Sequence, residues 1–458
     1  MNKNNNKYTI NKLDKLKKTL DIVNEDLKHS EEEQKELSKF TEQLINKLHA
    51  IFKENNLIPP IIDIVQVGST ARNTNLNNDY DIDIFVRFEK HTNKELLEEI
   101  TIKYGEKVIN KLGGKCWVEY AEHPYLSAKV DKYEIDIVPC YKLNWGDKII
   151  SAVDRTPLHN EYVINKIQNN HKLVMDIKIL KKFLKGIGVY GSDLKTKGFS
   201  GYLCELLIIY YGGFLNLLNA TQNWKIGEKI ILEDLFKLHN LNNDYQFMDF
   251  PKQPLIVYDP TDINRNVAAA LSNENFCKFI YYSYLFLNSP NIKYFNNNFS
   301  VKEKEKLNNR EKGKIITLIL EREKDTVEDI IYPQMERLQN SINKLIKEHD
   351  FEYLEYSNYA DENYCYLSWE FLVYALPNVK IKIGPYIYQN KNRINNFINK
   401  YDKCFVKDCT ICAYINRQYT TIDDLFKDLS NGKLSNKIVH TKQVKIKNCK
   451  IITNNNNQ

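Results

Sequence analysis

Between positions 37 and 52, apolar side chains recur every three or four residues: Leu37, Phe40, Leu44, Leu48, Ile51 and Phe52. That period predicts an α-helix with one buried stripe. Ser30 and Glu33 form a capping-box pair ahead of it, and Pro59-Pro60 lies beyond its end. The period then drops to two. Ile61–Val67 and Asp81–Phe88 read as strands, 94–112 as a helix, and 115–120 and 133–138 as further strands. These elements predict a small α+β domain with a mixed sheet.

From about position 151 the helical period takes over. Leu173, Ile177, Leu180, Leu184 and Ile187 form one stripe, and Lys178, Lys181, Lys182 and Lys185 are expected on the solvent side. Ser200 is placed to start a second helix through Leu203, Leu206, Leu207 and Tyr210, and a third is expected over 267–287. The polar stretch 296–313 reads as a linker. After it come a strand at 315–320, a helix with Met335, Leu338, Ile342, Leu345 and Ile346 in register, and strands near 351–356 and 364–372. That βαββ order is of the ferredoxin-like or RNA-recognition-motif kind. The last part mixes short strands with a helix near 423–429, and both chain ends read as low-complexity tails.

A chain of 458 residues has room for several such domains. It contains no apolar run long enough for a bilayer and no apolar signal segment at its start, so a soluble cytoplasmic protein is expected. Net charge is only +6, yet residues 378–458 hold 15 Lys or Arg against 5 Asp and no Glu. A basic end suits a phosphate backbone; a solvated Lys-rich surface explains it equally well. Of nine cysteines, Cys404, Cys409 and Cys412 cluster, with Cys449 further on. The spacing superficially matches an iron–sulfur pattern, but the fourth partner is too distant, so reduced thiols are expected.

The chemistry is concentrated elsewhere. Gly68-Ser69 ends one strand, Asp81-Ile82-Asp83 opens the next, and Asp136 lies in the strand Glu134-Ile135-Asp136-Ile137-Val138-Pro139. Alternation along a strand turns Asp81 and Asp83 one way and Ile82 and Ile84 toward the core. With the third strand beside them, three carboxylates converge. Such a cluster calls for a cation, and an all-oxygen set suits Mg²⁺. The Gly-Ser turn is a natural phosphate cradle. An isolated Asp-x-Asp is usually an exposed edge; strand, Gly-Ser, Asp-x-Asp and a third Asp together point to phosphoryl or nucleotidyl transfer.

That order resembles the DNA-polymerase-β-type nucleotidyltransferase superfamily. Longer runs are similar to the class I, archaeal-type CCA-adding tRNA nucleotidyltransferases: 121–125, 137–141, Ser151-Ala152-Val153-Asp154-Arg155-Thr156-Pro157-Leu158-His159, 180–191, Gly198-Phe199-Ser200-Gly201-Tyr202-Leu203-Cys204-Glu205-Leu206-Leu207, and 259–270. The resemblance is close over 65–287 and looser to the end. It implies addition of CTP, CTP and ATP to the tRNA 3′ end, with Mg²⁺ held by Asp81, Asp83 and Asp136. It implies that Gly68, Ser69 and Arg72 grip the triphosphate, that His159, Lys181 and Tyr190 reach the nucleotide, and that Arg265 recognises base or phosphate. Glu122 would lie beside the site. The implied architecture is a catalytic head (1–155), a helical neck (156–250), a body (251–312 and 378–458) and an RNA-binding tail (313–377). Implied partners are the tRNA acceptor arm, CTP and ATP, with no membrane, and a homodimer is compatible. The family usually has Arg where Lys178 stands, and a His-x-Gly-Pro-Pro-like turn where this chain has Ile381-Lys382-Ile383-Gly384-Pro385-Tyr386.

Each assignment has a plainer rival. Arg72 could be a surface loop residue, Lys181 one of four lysines on a wet helix face, His159 a helix-start neighbour, and Tyr190 a core filler. Two other functions use the same features: a poly(A)- or oligoadenylate-type polymerase, and a non-catalytic RNA-binding protein with a similar head.

Overall fold

The computed structural model describes all residues except 1, 29, 59, 78, 120–123, 169, 243, 325, 440, 445–449 and 455–458. Glu122 and Cys449 therefore lie outside the described residues. The chain divides into two compact units, Met1–Lys304 and Glu305–Gln458.

The first unit opens with α1 (Asn2–Leu27) and α2 (Glu31–Glu54). A tail was expected at the start; instead Leu16, Leu20, Val23 and Leu27 give the Asn/Lys-rich segment an apolar edge that packs against the helical core. Ser30 caps α2 as expected, its Oγ accepting from the Glu33 N–H at 3.1 Å while Glu33 accepts from the Ser30 N–H. Then follow β1 (Ile61–Val67), the single turn α3 (Gly68–Ala71), β2 (Asp81–Phe88), α4 (Lys94–Lys111), β3 (Lys115–Glu119), β4 (Tyr125–Val130) and β5 (Tyr133–Tyr141). The sheet runs β1-β2-β5-β4-β3, with β2 and β5 parallel and the other pairs antiparallel. It is the mixed sheet expected, with β4 as an addition. Leu44, Leu48 and Phe52 of α2 and Leu97 and Val108 of α4 cover one face over Ile82, Ile84, Ile135 and Ile137. Each such fully buried side chain contributes about 1.5–3 kcal/mol. The opposite face carries a small apolar patch of Val67, Phe85, Val138 and Cys140. Asp81, Asp83 and Asp136 belong to that second face by alternation.

A helical section follows: α5 (Arg155–Ile167), α6 (His171–Gly186), α7 (Gly201–Tyr211), α8 (Phe214–Ala220), the short β6 (Glu228–Ile230) and α9 (Asp234–Leu238), the hairpin β7 (Leu255–Asp259) and β8 (Asp262–Asn266), then α10 (Asn273–Asn288) and α11 (Phe299–Asn308). Ser200 caps α7 as the sequence predicts. The helix expected from 267 begins at Asn273, because Ser272 supplies the cap by accepting from the Asn275 N–H. The stretch read as a linker holds α11, and the boundary between the units falls within it.

In the second unit β9 (Lys314–Glu321), α12 (Glu328–Glu348), β10 (Glu352–Ala360) and β11 (Tyr364–Val373) form the expected βαββ order. Then come β12 (Val379–Tyr386), α13 (Lys391–Lys400), β13 (Cys404–Lys407), β14 (Thr410–Asn416), α14 (Ile422–Ser430) and β15 (Lys450–Asn454). One sheet runs β10-β11-β9-β15 and the other β12-β14-β13. The first takes its fourth strand from the C-terminal segment, so 313–377 is not closed on itself, and Asn454 belongs to a strand rather than a tail. Met335, Leu338 and Ile342 of α12 and Phe426 and Leu429 of α14 join Leu318, Leu367 and Trp369 in a single core. Among the described residues no single helix is long and apolar enough to cross a membrane. The described cysteines are all free thiols, Cys412 buried and Cys409 exposed.

Candidate active site

Parallel pairing of β2 with β5 sets Asp83 directly opposite Asp136, and Asp81 opposite Glu134. On the other side Val67, just before the Gly-Ser turn, stands opposite Asp83. Gly68 has φ +81°, and a Cβ built on it would lie 1.9 Å from Asp83 Oδ2. Only glycine lets the carboxylate approach the turn this closely. The Thr70 hydroxyl donates to the Asp81 carbonyl at 2.8 Å, fixing the start of β2 to the same turn. Ser127 on β4 faces Asp136 and donates to its Oδ1 at 2.5 Å.

The electrostatics are those of crowded anions. Burial, with Asp79, Asp83 and Glu134 around it, pushes Asp81 up to about 7. Burial and Asp136 push Asp83 up to about 6, against the opposing pull of Arg72. Asp136 is raised by burial, with the Ser127 hydroxyl opposing. Among the described residues no three acidic, His or Cys side chains already form a metal-holding shell. The donor chemistry nevertheless fits a divalent cation: three carboxylates share one face and compete for protons, and one is pressed against a bare Cα.

Arg72 is not a surface residue. Its guanidinium reaches Glu205, with Nε to Oε1 at 3.1 Å and Nη2 to Oε2 at 3.1 Å, and donates from Nη1 to Asn160 Oδ1 at 2.9 Å. The Thr74 hydroxyl donates to Glu205 Oε1 at 2.6 Å, and Lys181 Nζ donates to the Thr74 carbonyl at 3.0 Å. Lys178 and Lys181, expected on a wet face, are only 3% and 2% exposed. The reason is packing: Ile177, Ile179, Leu180 and Phe183 are buried too, so α6 is enclosed on most sides. Burial pulls Lys178 down to about 8 and also lowers Lys181, where Glu205 opposes it. A Cβ added to Gly201 would lie 3.2 Å from the Tyr190 hydroxyl and 3.6 Å from Lys181 Nζ, so Tyr190 points into the same network. Ser69, half-buried, accepts the Thr74 N–H on its carbonyl at 2.9 Å.

His159 and Arg265 meet at a different anion. His159 Nε2 is 2.8 Å from Asp259 Oδ2, Arg265 Nη1 donates to the same oxygen at 2.7 Å, and the His159 ring stacks on Tyr202 at 4.0 Å. Asp259 is wholly enclosed and its carboxyl is held far below the usual range: burial opposes this, and His159, Arg265 and the Thr261 N–H outweigh it. The structure thus gathers the predicted residues into a carboxylate row, an Arg72–Lys181–Tyr190 network and a His159–Arg265 pair. The anions organising the last two, Glu205 and Asp259, were not singled out from sequence. The signal was there: each is a lone carboxylate at a core position of an otherwise apolar segment. A cavity of about 440 Å³ lies elsewhere, between α1, α6 and Gly212-Gly213, and none of these side chains lines it.

Three family models match the chain: a nucleotidyltransferase domain over 45–159, a tRNA nucleotidyltransferase second domain over 175–296, and a CCA-adding enzyme C-terminal domain over 312–447. The chain is 53% identical to a CCA-adding enzyme of Methanococcus maripaludis, over 94% of this chain and 96% of that protein. It is 50% identical to one of Methanocaldococcus jannaschii, over 94% of each. It is 34% identical to one of Methanosarcina mazei, over 89% of this chain and 87% of that protein.

Proposed function

The chain belongs to the archaeal-type CCA-adding tRNA nucleotidyltransferases, and from that premise we propose how its residues perform the reaction. A CCA-adding enzyme completes and repairs the 3′ end of tRNA with CTP and ATP, without a template. The step is an in-line displacement: the tRNA 3′-hydroxyl attacks the α-phosphorus and pyrophosphate leaves.

Asp81, Asp83 and Asp136 would hold divalent cations, Mg²⁺ by our reading. When bound, these supply charge neutralisation and ease deprotonation of the attacking hydroxyl. Gly68 leaves room for Asp83 beside the turn, and Ser127 keeps Asp136 aimed from its own strand. Ser69 and Arg72 would meet the triphosphate, the flat guanidinium fork suiting phosphate oxygens. Lys181 and Tyr190 border that network, while His159, held with Arg265 by Asp259, would touch the nucleotide and Arg265 would meet its base or phosphate. A polar site that pairs with C and A leaves groups unmatched when G or U enters, which is costly out of water. In the second unit, the order β10-β11-β9-β15 with α12 and α14 supports a ferredoxin-like, RNA-recognition-motif-like assignment, and the basic C-terminal stretch supports contact with a tRNA acceptor arm. An A-form arm is read by shape and phosphates. The four-part head, neck, body and tail division, a cytoplasmic location and a homodimer belong to this proposal; light scattering tests the last.

The observation that carries the reading is the register of Asp83 with Asp136 beside Gly68. The experiment supplies tRNA trimmed at its 3′ end, Mg²⁺ and one labelled nucleotide at a time. CTP should enter first, ATP only on an end already CC, and neither UTP nor GTP. Use of UTP or GTP as readily as CTP defeats the proposal, and a homopolymer grown from ATP alone supports the polymerase rival.

A further inference from the structure

Glu205 has no role in the chemistry above, yet its surroundings are built for one. Its side chain is 0% exposed, on a turn of α7 whose neighbours Leu203, Cys204, Leu206 and Leu207 are buried apolar groups. An enclosed carboxylate is costly unless it is paired and hydrogen-bonded. Here Arg72 Nε and the Thr74 hydroxyl donate to Oε1, and Lys181 Nζ stands 3.6 Å from that oxygen. Oε2 is held by charge alone, 3.1 Å from Arg72 Nη2 with no hydrogen bond of its own. Burial alone would raise its pKa; Arg72 and Lys181 hold it below the usual carboxylate range, so it stays charged.

Two features separate this arrangement from simple core filling. The partners come from two stretches distant from α7: Arg72 and Thr74 in the loop after α3, and Lys181 on α6, converge on its one carboxylate. The cluster is also not closed on itself. Two cations share the one enclosed anion, and Arg72 in addition acts on Asp83 beside the Gly-Ser turn, so its guanidinium links Glu205 to the carboxylate row.

We propose that Glu205 is the positioning residue of the triphosphate site, orienting the guanidinium of Arg72 and the ammonium of Lys181 toward the nucleotide's phosphates. The inference rests on the reading of Arg72 as a phosphate contact. Because CTP and ATP share the triphosphate, Glu205 acts on both nucleotides equally.

Steady-state kinetics of the full-length enzyme on trimmed tRNA test this. Glu205→Gln keeps the shape and removes the charge. It should raise KM for CTP and for ATP by about tenfold, the size of one lost charge-assisted contact, with kcat within about threefold and KM for tRNA unchanged. The double variant Arg72→Ala/Glu205→Gln should lose clearly less than the product of the two single losses, because both changes share the Arg72 guanidinium and only the Lys181 part of Glu205's effect remains. Unchanged nucleotide KM with a lowered thermal midpoint would reduce Glu205 to a core group, and additive losses would show that it does not act through Arg72; either overturns the inference alone. If Arg72→Ala itself leaves KM unchanged, the phosphate reading of Arg72 falls, and the inference with it. Thr74→Val, which keeps every charge but removes the 2.6 Å hydrogen bond, covers the case in which Glu205→Gln does not fold. A rise of about threefold in nucleotide KM is expected there, and no rise overturns the inference.

Discussion

Asp81, Asp83 and Asp136 crowd one another on neighbouring strands, and that crowding has a measurable sign. Asp83, lifted to about 6, is penalised in its charged form: the penalty is complete above pH 6 and gone well below the ordinary carboxyl value near 3.8. Metal-free Asp83→Asn should therefore unfold at a higher temperature than the parent at neutral pH, the difference shrinking as pH falls through 6 toward 4. Scanning calorimetry across pH checks this, and a pH-independent gain would rule out the buried charge, enclosed first by burial and then crowded by Asp136, as its cause. Adding a divalent cation should stabilise the parent more than the variant. The same substitution should lower nucleotidyl transfer by on the order of 10²–10³ or more, the usual size for removing a preorganised charge. The three Asp were legible in sequence because strand alternation and the Gly-Ser turn imply their convergence. Glu205 was not, because its value lies in Arg72 and Thr74, 133 and 131 positions away.

Elements place these residues only as well as their own sequences allow. The turn after β1 works because Gly68 takes φ +81° and leaves no Cβ against Asp83. Gly68→Ala should cost about 1–2 kcal/mol of stability from the left-handed backbone alone. Displacing Asp83 should further cut kcat on the order of 10²-fold, as roughly ångström-scale misplacement does. Denaturant melts and single-turnover rates read the two effects separately. α2 and α7 announced themselves through caps at Ser30 and Ser200. α1 did not, because its Asn and Lys content hid the spacing of Leu16, Leu20, Val23 and Leu27. β4 was also missed, and it carries Ser127. Ser127→Ala should lower activity about tenfold by freeing Asp136, less than loss of the carboxylate itself, on the scale of a single hydrogen bond to a charged group.

At the scale of the molecule, the first unit holds every candidate catalytic side chain, and the second holds the basic C-terminal stretch with its 15 Lys or Arg. If those cations meet tRNA phosphates, each contact releases counterions, and log affinity falls with log salt by roughly 0.9 per phosphate. Raising salt from about 50 to 200 mM should thus weaken tRNA binding steeply while changing KM for CTP little if the enclosed Arg72–Glu205–Lys181 network is what meets the nucleotide. Filter binding beside nucleotide kinetics decides it; equal salt dependence of both would argue against RNA contact through that surface. The order of strands and helices in the second unit was largely readable, but its sheet closure was not: β15 joins β9 from more than a hundred residues away, a pairing that no local pattern encodes.

Local pattern by itself indicated most of the strands and helices around the site, and the run Gly68-Ser69…Asp81-Ile82-Asp83…Asp136 pointed to phosphoryl or nucleotidyl transfer, because periodicity, capping and turn conformation act between near neighbours. Tertiary structure decided which charges are buried. Lys178 and Lys181 sit on what reads as a polar helix face, and only the packing of surrounding helices encloses them and supplies Asn73 and Glu205 as partners. The energy of a charge depends on what surrounds it in three dimensions, and that is not written in its neighbours along the chain.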